Sequence, residues 1–589
     1  MKGIEVDKWM RYITLLFAST WLLYFGIYNE VPTDTGDGLA HFFISQASWS
    51  NYDLFFDHWG KPLFILLSSP FAQMGFDGMM VFNLIVFVAT VFFGYKILEK
   101  LNVNYLLQSL FPLILVLSPD IILTMAGGHT EPLFNLMLVW VGYLLLTKNY
   151  LWLAILVSFM PFSRSEGQLP LLLIGITLIY KKEWKYLPFL LTGFVVYAIA
   201  GSQTHGDLFW YFTKSPYSMN NGIYGKGIWT HYLLNCHRYL GKVGLVFTII
   251  GLYSAVRLMM KKNWNELSFD LSFLAYGTFI GVVISHSYFW ATGQNGSIGL
   301  TRIATQGVPL FILVQLIHWS AISARFLNKR WIYGLLLVPL MLLIIKIKTI
   351  EANPMERQIQ QAVKFINDES VGNERILYHH PYVAYLMNGN PLIEGRLKQE
   401  SFHFLEEDLK NNIEPGSIIV WDSHFGPVEA GKSASEMKAI GRLALINEFI
   451  FGGTGDEPQG VMIFQAVVDS TQQIDINSNT VQGKSYTLQM KKDDEFLNFF
   501  TEISDQHKGS TLTFSIKALD ETSLVFDTPE EGYISYDMDT TTQIFNFKIP
   551  KSGEAKIYLW NPKHKGGKVE IDQVSFIKSN YSSFKKSLR

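Results

Sequence analysis

From residue 12 to residue 349 the chain repeats one pattern, an apolar run followed by a short polar connection. The runs fall at 12 to 28, 78 to 97, 106 to 118, 132 to 147, 149 to 162, 169 to 180, 187 to 200, 242 to 259, 270 to 289, 303 to 322 and 331 to 349. One soluble core cannot take this many apolar segments, so the pattern predicts a polytopic α-helical membrane protein of about 11 spans. Composition agrees: 49% of residues are hydrophobic and 17% charged, with the apolar excess confined to the first 350. The first run follows Lys8 and Arg11 and has no small-residue cleavage pattern behind it. It reads as a retained anchor.

Orientation follows from the connections. Lys96, Lys100, Lys148, Lys181, Lys182, Lys185, Arg257, Lys261, Lys262, Arg325, Lys329 and Arg330 all lie in alternate ones. Since positive charge stays on the cytoplasmic side, the expectation is a multi-pass protein of the inner (plasma) membrane with a cytoplasmic N-terminus. An odd number of spans then puts everything beyond Glu351 outside. The formal net charge of -2 excludes a general nucleic-acid binder. The single cysteine, Cys236, excludes an internal disulfide and a Cys-rich metal site.

The remaining connections hold the residues able to do chemistry, so a reaction centre is expected on the outer side. The stretch Thr33-Asp34-Thr35-Gly36-Asp37-Gly38-Leu39-Ala40-His41-Phe42 brings two carboxylates and an imidazole to the membrane surface, where charge is costly unless hydrated, paired or used. If a helix starts near Gly36, Asp37 and His41 share a face, and Asp37 either caps the helix or acts as a general base. Lys61 follows Trp59 at the head of an apolar stretch too short to span, expected along the interface. His129 and Glu131 precede the fourth run, and Arg164 and Glu166 separate two short ones. Arg164 and Glu166 could neutralise each other, and Arg302 could be a snorkelling anchor. Both arginines equally suit a phosphate, whose oxygens match the guanidinium fork. Aromatics between Gly201 and Arg238 fit an interfacial belt as well as a sugar site.

The acidic first outer loop with Asp34, Asp37 and His41, the segment with Lys61-Pro62, the outward Arg164-Ser165-Glu166-Gly167, the many spans and the exported C-terminal region together resemble the GT-C-fold glycosyltransferases. That superfamily includes protein O-mannosyltransferases and the lipid A aminoarabinose transferase. The resemblance covers roughly residues 1 to 350. It implies an enzyme that takes a hexosyl or pentosyl group from a polyprenyl-phosphate carrier to a lipid, glycan or protein acceptor outside the cytoplasm. The essential acid lies in the first outer loop. The mannosyltransferase pattern has Asp-Glu there, and this chain lacks the Glu, so Asp37 is the first choice for the base and Asp34 the second. His41, Lys61, His129, Glu131, Arg164, Glu166 and Arg302 are the expected substrate-binding residues. No cofactor is implied outright; a diphosphate donor would favour a divalent ion, Mg or Mn, held by Asp34 or Asp37.

Beyond Glu351 the pattern changes. Residues 351 to 470 read as a small α/β domain, with helices at Pro354 to Asp368, Gln399 to Asn411 and Ser433 to Ile440 and buried strands at Arg375 to Tyr378 and Ser417 to Asp422. Asp422 and His424 follow a strand, but without a nucleophile motif they read as structural. Residues 471 to 589 carry at least six short strands and predict a jelly-roll-like β-sandwich, whose closing strand resembles that of carbohydrate-binding modules and which equally suits a spacer or partner-docking domain. The competing reading of the whole chain is a non-catalytic transporter or cell-envelope assembly protein with an exported binding domain. The scarcity of charge inside the runs favours the enzyme.

Overall fold

The computed structural model describes residues 2–219, 224–260, 266–323, 341, 350–369, 375–393, 395–413, 416–440, 443–454 and 457–466, and the strand segments between 486 and 577. Two compact units divide at Glu351.

The first unit is helical. Among the described residues five helices are long and apolar enough to cross a bilayer: Lys8–Ile27, Phe76–Lys100, Trp184–His205, Gly241–Met260 and Glu266–Thr292. Shorter apolar helices run Glu131–Leu146, Tyr150–Ser163, Ser165–Tyr180 and Val308–Ala321. The run at 331 to 349 lies outside the described residues except Met341. Only 22% of the first long helix and 17% of Trp184–His205 is buried within the protein. Their bare apolar faces, which carry Leu16, Ile199 and Val196, are exposed among the described residues and suit contact with lipid. This is a multi-pass membrane protein.

The expected run 106 to 118 is the helix Tyr105–Leu115, and the connection after it, from Ser118 to Glu131, holds a second helix, Pro119–Ala126, which leaves the first at 70°. The cause is local: Pro119 cannot continue the first helix, while Ser118 caps the second through Ile121 N and anchors to Tyr239 O at 2.7 Å. The bend delivers the turn at Gly127 and Gly128 against the Asp34 loop. There a Cβ on Gly38 would lie 2.0 Å from Gly127 O, so only glycine permits the approach. The short helix Pro62–Ala72 packs Phe64 and Ile65 inward.

The second unit opens with helix Pro354–Glu369, started by a reciprocal cap between Asn353 and Glu356 and burying Ile359, Val363 and Ile366. Strands β1 (Ile376–Tyr378), β2 (Leu397–Gln399) and β3 (Ile418–Asp422) are parallel, and β4 (Leu443–Thr454) with β5 (Glu457–Ala466) completes a sheet of order β2-β1-β3-β5-β4. Leu377, Ile419, Trp421, Met462 and Phe464 fill its core with Phe402 and Met437. The β4–β5 hairpin was not expected from the sequence. Asp422 Oδ1 accepts from the backbone N–H of His424 and Phe425 at 3.0 and 2.8 Å, closing the turn after β3.

The strand-rich remainder forms two antiparallel four-stranded sheets. One joins β10 (Gly532–Asp537), β9 (Ser523–Thr528), β12 (Lys556–Trp560) and β7 (Phe496–Phe500). The other joins β11 (Thr542–Lys548), β8 (Thr511–Ala518), β13 (Gly567–Ile577) and β6 (Tyr486–Met490). Phe526 of the first stacks on Phe547 of the second with centroids 4.2 Å apart, so the sheets pack face to face.

Candidate active site

Four breaks in the helical pattern meet at one end of the first unit. They are the Asp34 loop with the start of helix Asp37–Ala47, the turn before Glu131, the kink at Arg164 and the 3-10 turn Thr301–Thr305. Each break carries charged residues, and these pair with one another rather than capping the helices.

Arg302 is the hub. One terminal nitrogen, Nη2, donates to Asp37 Oδ2 and lies 3.8 Å from Asp34 Oδ2. The other, Nη1, reaches Glu131 Oε1 at 3.0 Å and His129 Nδ1 at 3.1 Å. Because arginine only donates, Nδ1 of His129 carries the lone pair and its proton is on Nε2, which faces Asp34 Oδ2 at 3.3 Å. Asp34 also accepts from Gly36 N at 2.8 Å, so it holds the loop as well as the charge.

Arg164 Nη1 approaches the same Glu131 Oε1 at 3.0 Å and donates to Thr130 Oγ1 at 2.8 Å. Glu131, fully buried, thus bridges two guanidiniums through one oxygen; its Oε2 has no partner among the described residues. On its other side Arg164 pairs with Glu166 at 3.4 Å. Glu166 Oε1 in turn accepts from His286 Nε2 at 3.0 Å and Gln306 Nε2 at 2.9 Å.

Beside this network stands Lys61, in the left-handed region at φ +67. Its Nζ donates to His58 O at 3.2 Å and to the Tyr217 hydroxyl. Burial first, then the charge of Arg164, pushes its ammonium down to about 7. His41 is buried against Trp59, rings 4.5 Å apart and near parallel, and burial holds it neutral, well below the usual imidazole range.

The two loop acids differ. Burial opposes ionisation of Asp34, but His129, Arg302 and the Gly36 N–H outweigh it and hold the carboxyl well below its ordinary range. Around Asp37 the enclosing low-dielectric walls prevail over Arg302, helped by the charges of Asp34 and Glu131, and its carboxyl is raised. Asp37 nevertheless keeps 44% of its side chain exposed, against 24% for Asp34 and none for Glu131. It is the more basic and the more reachable of the acids.

Asp34, Asp37, His129, Glu131, Arg164, Glu166 and Arg302, each singled out from the sequence, therefore form one continuous network. Lys61 and His41 flank it without a hydrogen bond to it. His286, Gln306 and Tyr217 were missed as site residues. Asp34 and Asp37 are a poor fit for a divalent ion, since Arg302 already supplies their countercharge. Among the described residues no three His, Cys, Asp or Glu side chains group to hold one.

A cationic core among carboxylates stands at one end of many apolar helices, and a solved membrane-protein structure shares the fold. The crystal structure of ArnT from Cupriavidus metallidurans bound to undecaprenyl phosphate matches 77% of this chain and 97% of its own, with TM-score 0.50 and 8% identity. Apo ArnT from that organism matches the same shares at TM-score 0.49 and 8% identity. The arabinofuranosyltransferase AftD from Mycobacteria matches 98% of this chain and 61% of its own, at TM-score 0.40 and 10% identity. Neither a protein-family model nor a curated protein matches the chain. The likeness is thus one of fold.

Proposed function

We propose that this protein is an integral membrane glycosyltransferase that moves a sugar from a polyprenyl-phosphate carrier to an extracytoplasmic lipid, glycan or protein acceptor, with Asp37 as general base. The observation that carries this reading is the partly exposed Asp37 carboxylate beside two buried arginines tied together by Glu131. The undecaprenyl phosphate bound to ArnT supports a carrier of that class. In this reading the N-terminus is cytoplasmic, the membrane is the inner one, and the unit beyond Glu351 is extracytoplasmic, its last domain a jelly-roll that binds glycan.

The chemistry follows from the ion pairs. At rest Arg302 is spent on Asp37. An arriving donor phosphate competes for Arg302, Arg164 and Lys61, and the exchange releases Asp37. The acceptor's proton passes to the Asp37 carboxylate as the acceptor atom bonds to the anomeric carbon from the face opposite the phosphate. The bond from that carbon to the phosphate oxygen breaks and its electron pair stays on the phosphate. Negative charge then grows where fixed positive charge already stands, which lowers the barrier without reorganisation. Asp34, held ionised by His129 and Arg302, keeps the loop in place.

The test is transfer of radiolabel from polyprenyl-phosphate sugars to membrane extract by the purified, reconstituted protein. Transfer by the wild type that disappears in folded Asp37→Asn supports the reading. Equal activity in both would move the base to Asp34 or elsewhere, and no transfer from any donor would remove the enzyme.

A further inference from the structure

A groove of about 150 Å³ opens between the helices Lys8–Ile27 and Phe76–Lys100. Leu23 and Ile27 form one wall, Val81 and Leu84 the other, and Met125 and Ala126 of helix Pro119–Ala126 the floor. Leu23, Ile27 and Val81 are exposed on apolar faces that suit lipid, so what enters the groove comes from the bilayer. A cavity of that size takes a benzene ring, which corresponds to roughly six carbons of a hydrocarbon chain. Its polar end is Asp77, exposed in the first turn of Phe76–Lys100 and the one charged residue among the described lining.

The groove adjoins the loop that carries the base. The same first turn of Phe76–Lys100 presses on Gly128, where a Cβ would lie 3.3 Å from Phe76 Cε2, 3.5 Å from Met79 Cβ and 3.4 Å from Gly38 O. Gly38 directly follows Asp37, so the groove meets the charged network at its Asp34–Asp37 end, whereas Arg164 joins that network through Glu131. A donor lipid is held by its phosphate, and a phosphate beside Asp77 would meet a carboxylate and no cation among the described lining residues. An uncharged or amino headgroup there meets no such repulsion, and it stands on the side of the network where the acceptor's proton is taken.

We infer that the acceptor is a lipid with an uncharged or cationic headgroup, and that one of its alkyl chains lies in the groove between Lys8–Ile27 and Phe76–Lys100. The inference rests on the glycosyl-transfer reading and narrows its acceptor from lipid, glycan or protein to lipid.

The experiment gives the reconstituted protein radiolabelled decaprenyl-phosphate arabinose, glucose and mannose. The acceptor source is membrane extract split by chloroform–methanol into a lipid fraction and a delipidated fraction. Label should enter the lipid fraction alone, and the labelled lipid should pass an anion-exchange column unretained. Val81→Trp and the milder Leu84→Phe fill the groove from one wall. Each should raise the KM for the lipid fraction about tenfold while kcat and the KM for the donor stay as in wild type. The unchanged donor KM also shows that the variants are folded. Label in the delipidated fraction, or a labelled lipid retained as an anion, would overturn the inference with wild type alone. So would variants that behave as wild type, which leaves the groove to bulk lipid, or a raised donor KM, which gives it to the polyprenyl chain. No transfer from any donor to either fraction would instead strike the glycosyl-transfer reading, and the lipid acceptor with it.

Discussion

The two ends of the helical unit handle charge in opposite ways. Away from the Asp34 loop, Arg11 is enclosed by Glu99, by Gln108 at 3.1 Å, by the Tyr12 hydroxyl at 2.8 Å and by the rings of Tyr95 and Tyr105. Lys181 likewise sits between Glu266 at 2.9 Å and Asp270 at 2.5 Å. Each is a single cation with acceptors of its own, although Arg11 Nε is buried without a partner among the described residues, and the arrangement anchors a helix end. At the other end four carboxylates share two guanidiniums, and polar atoms on Glu131, His286 and Gln306 have no partner among the described residues. Surplus acceptors in a buried site cost stability, and a fold carries such a cost where a ligand completes the network. What separates an anchor from a site here is therefore not the presence of charge but whether each cation keeps acceptors of its own or shares them in one network.

Substitutions that touch one end only test the contrast. Asp37→Asn should lower turnover by about 10²–10⁴-fold, the contribution of a positioned general base, with the thermal midpoint nearly unchanged because Arg302 keeps Glu131 and His129. Glu99→Gln should do the reverse, lowering the midpoint and leaving turnover per folded molecule alone. If the two variants gave the same profile, the distinction would be lost. Glu131→Ala removes the bridge between two buried guanidiniums and should cost about 3–5 kcal/mol of stability, read by thermal unfolding in detergent. Gly38→Ala should leave the protein folded but displace the Asp34 loop from Gly127. A shift on the order of 1 Å at the base corresponds to about 10²-fold in turnover. A fully active Gly38→Ala would show that the loop does not need that approach.

Much of this was legible in the residues. Apolar runs gave the helices, and charged residues interrupting those runs picked out Asp34, Asp37, His129, Glu131, Arg164, Glu166 and Arg302 one at a time. What no local pattern carries is that they meet, since Asp37 and Arg302 lie 265 positions apart and join only when the helices pack. His286 and Gln306 were hidden for a related reason. Each is one polar residue within or at the head of an apolar run, where hydrophobic periodicity absorbs it. The helix Pro119–Ala126 was missed because its 8 residues, set off by Ser118-Pro119, are too few for a span and read as part of a connection. In the second unit, the strands Ile376–Tyr378 and Ile418–Asp422 fell where buried β-branched runs placed them. The hairpin of β4 and β5 did not, because Gly452, Gly453 and Gly460 made the stretch read as loop.

The smallest expected effect concerns Lys61, which belongs to neither extreme: it is partnered, but by neutral groups. With its ammonium pushed down to about 7, it is charged in the free protein below that pH and increasingly neutral above it. A sugar-phosphate diester keeps its single negative charge throughout this range, so the lysine is the group that titrates. Binding the diester favours the protonated form. Above pH 7 the complex must first take up a proton, and donor affinity should fall with rising pH, by at most about tenfold per unit. Below pH 7 affinity should be flat. Lys61→Arg stays charged, so its profile should be level across pH 6 to 9 even if its absolute affinity differs, because the planar fork does not reproduce the contact with Tyr217. A wild-type profile as level as that of the arginine variant would place Lys61 with the self-contained pairs of the opposite end, as an anchor for the Tyr217 segment rather than a ligand for phosphate.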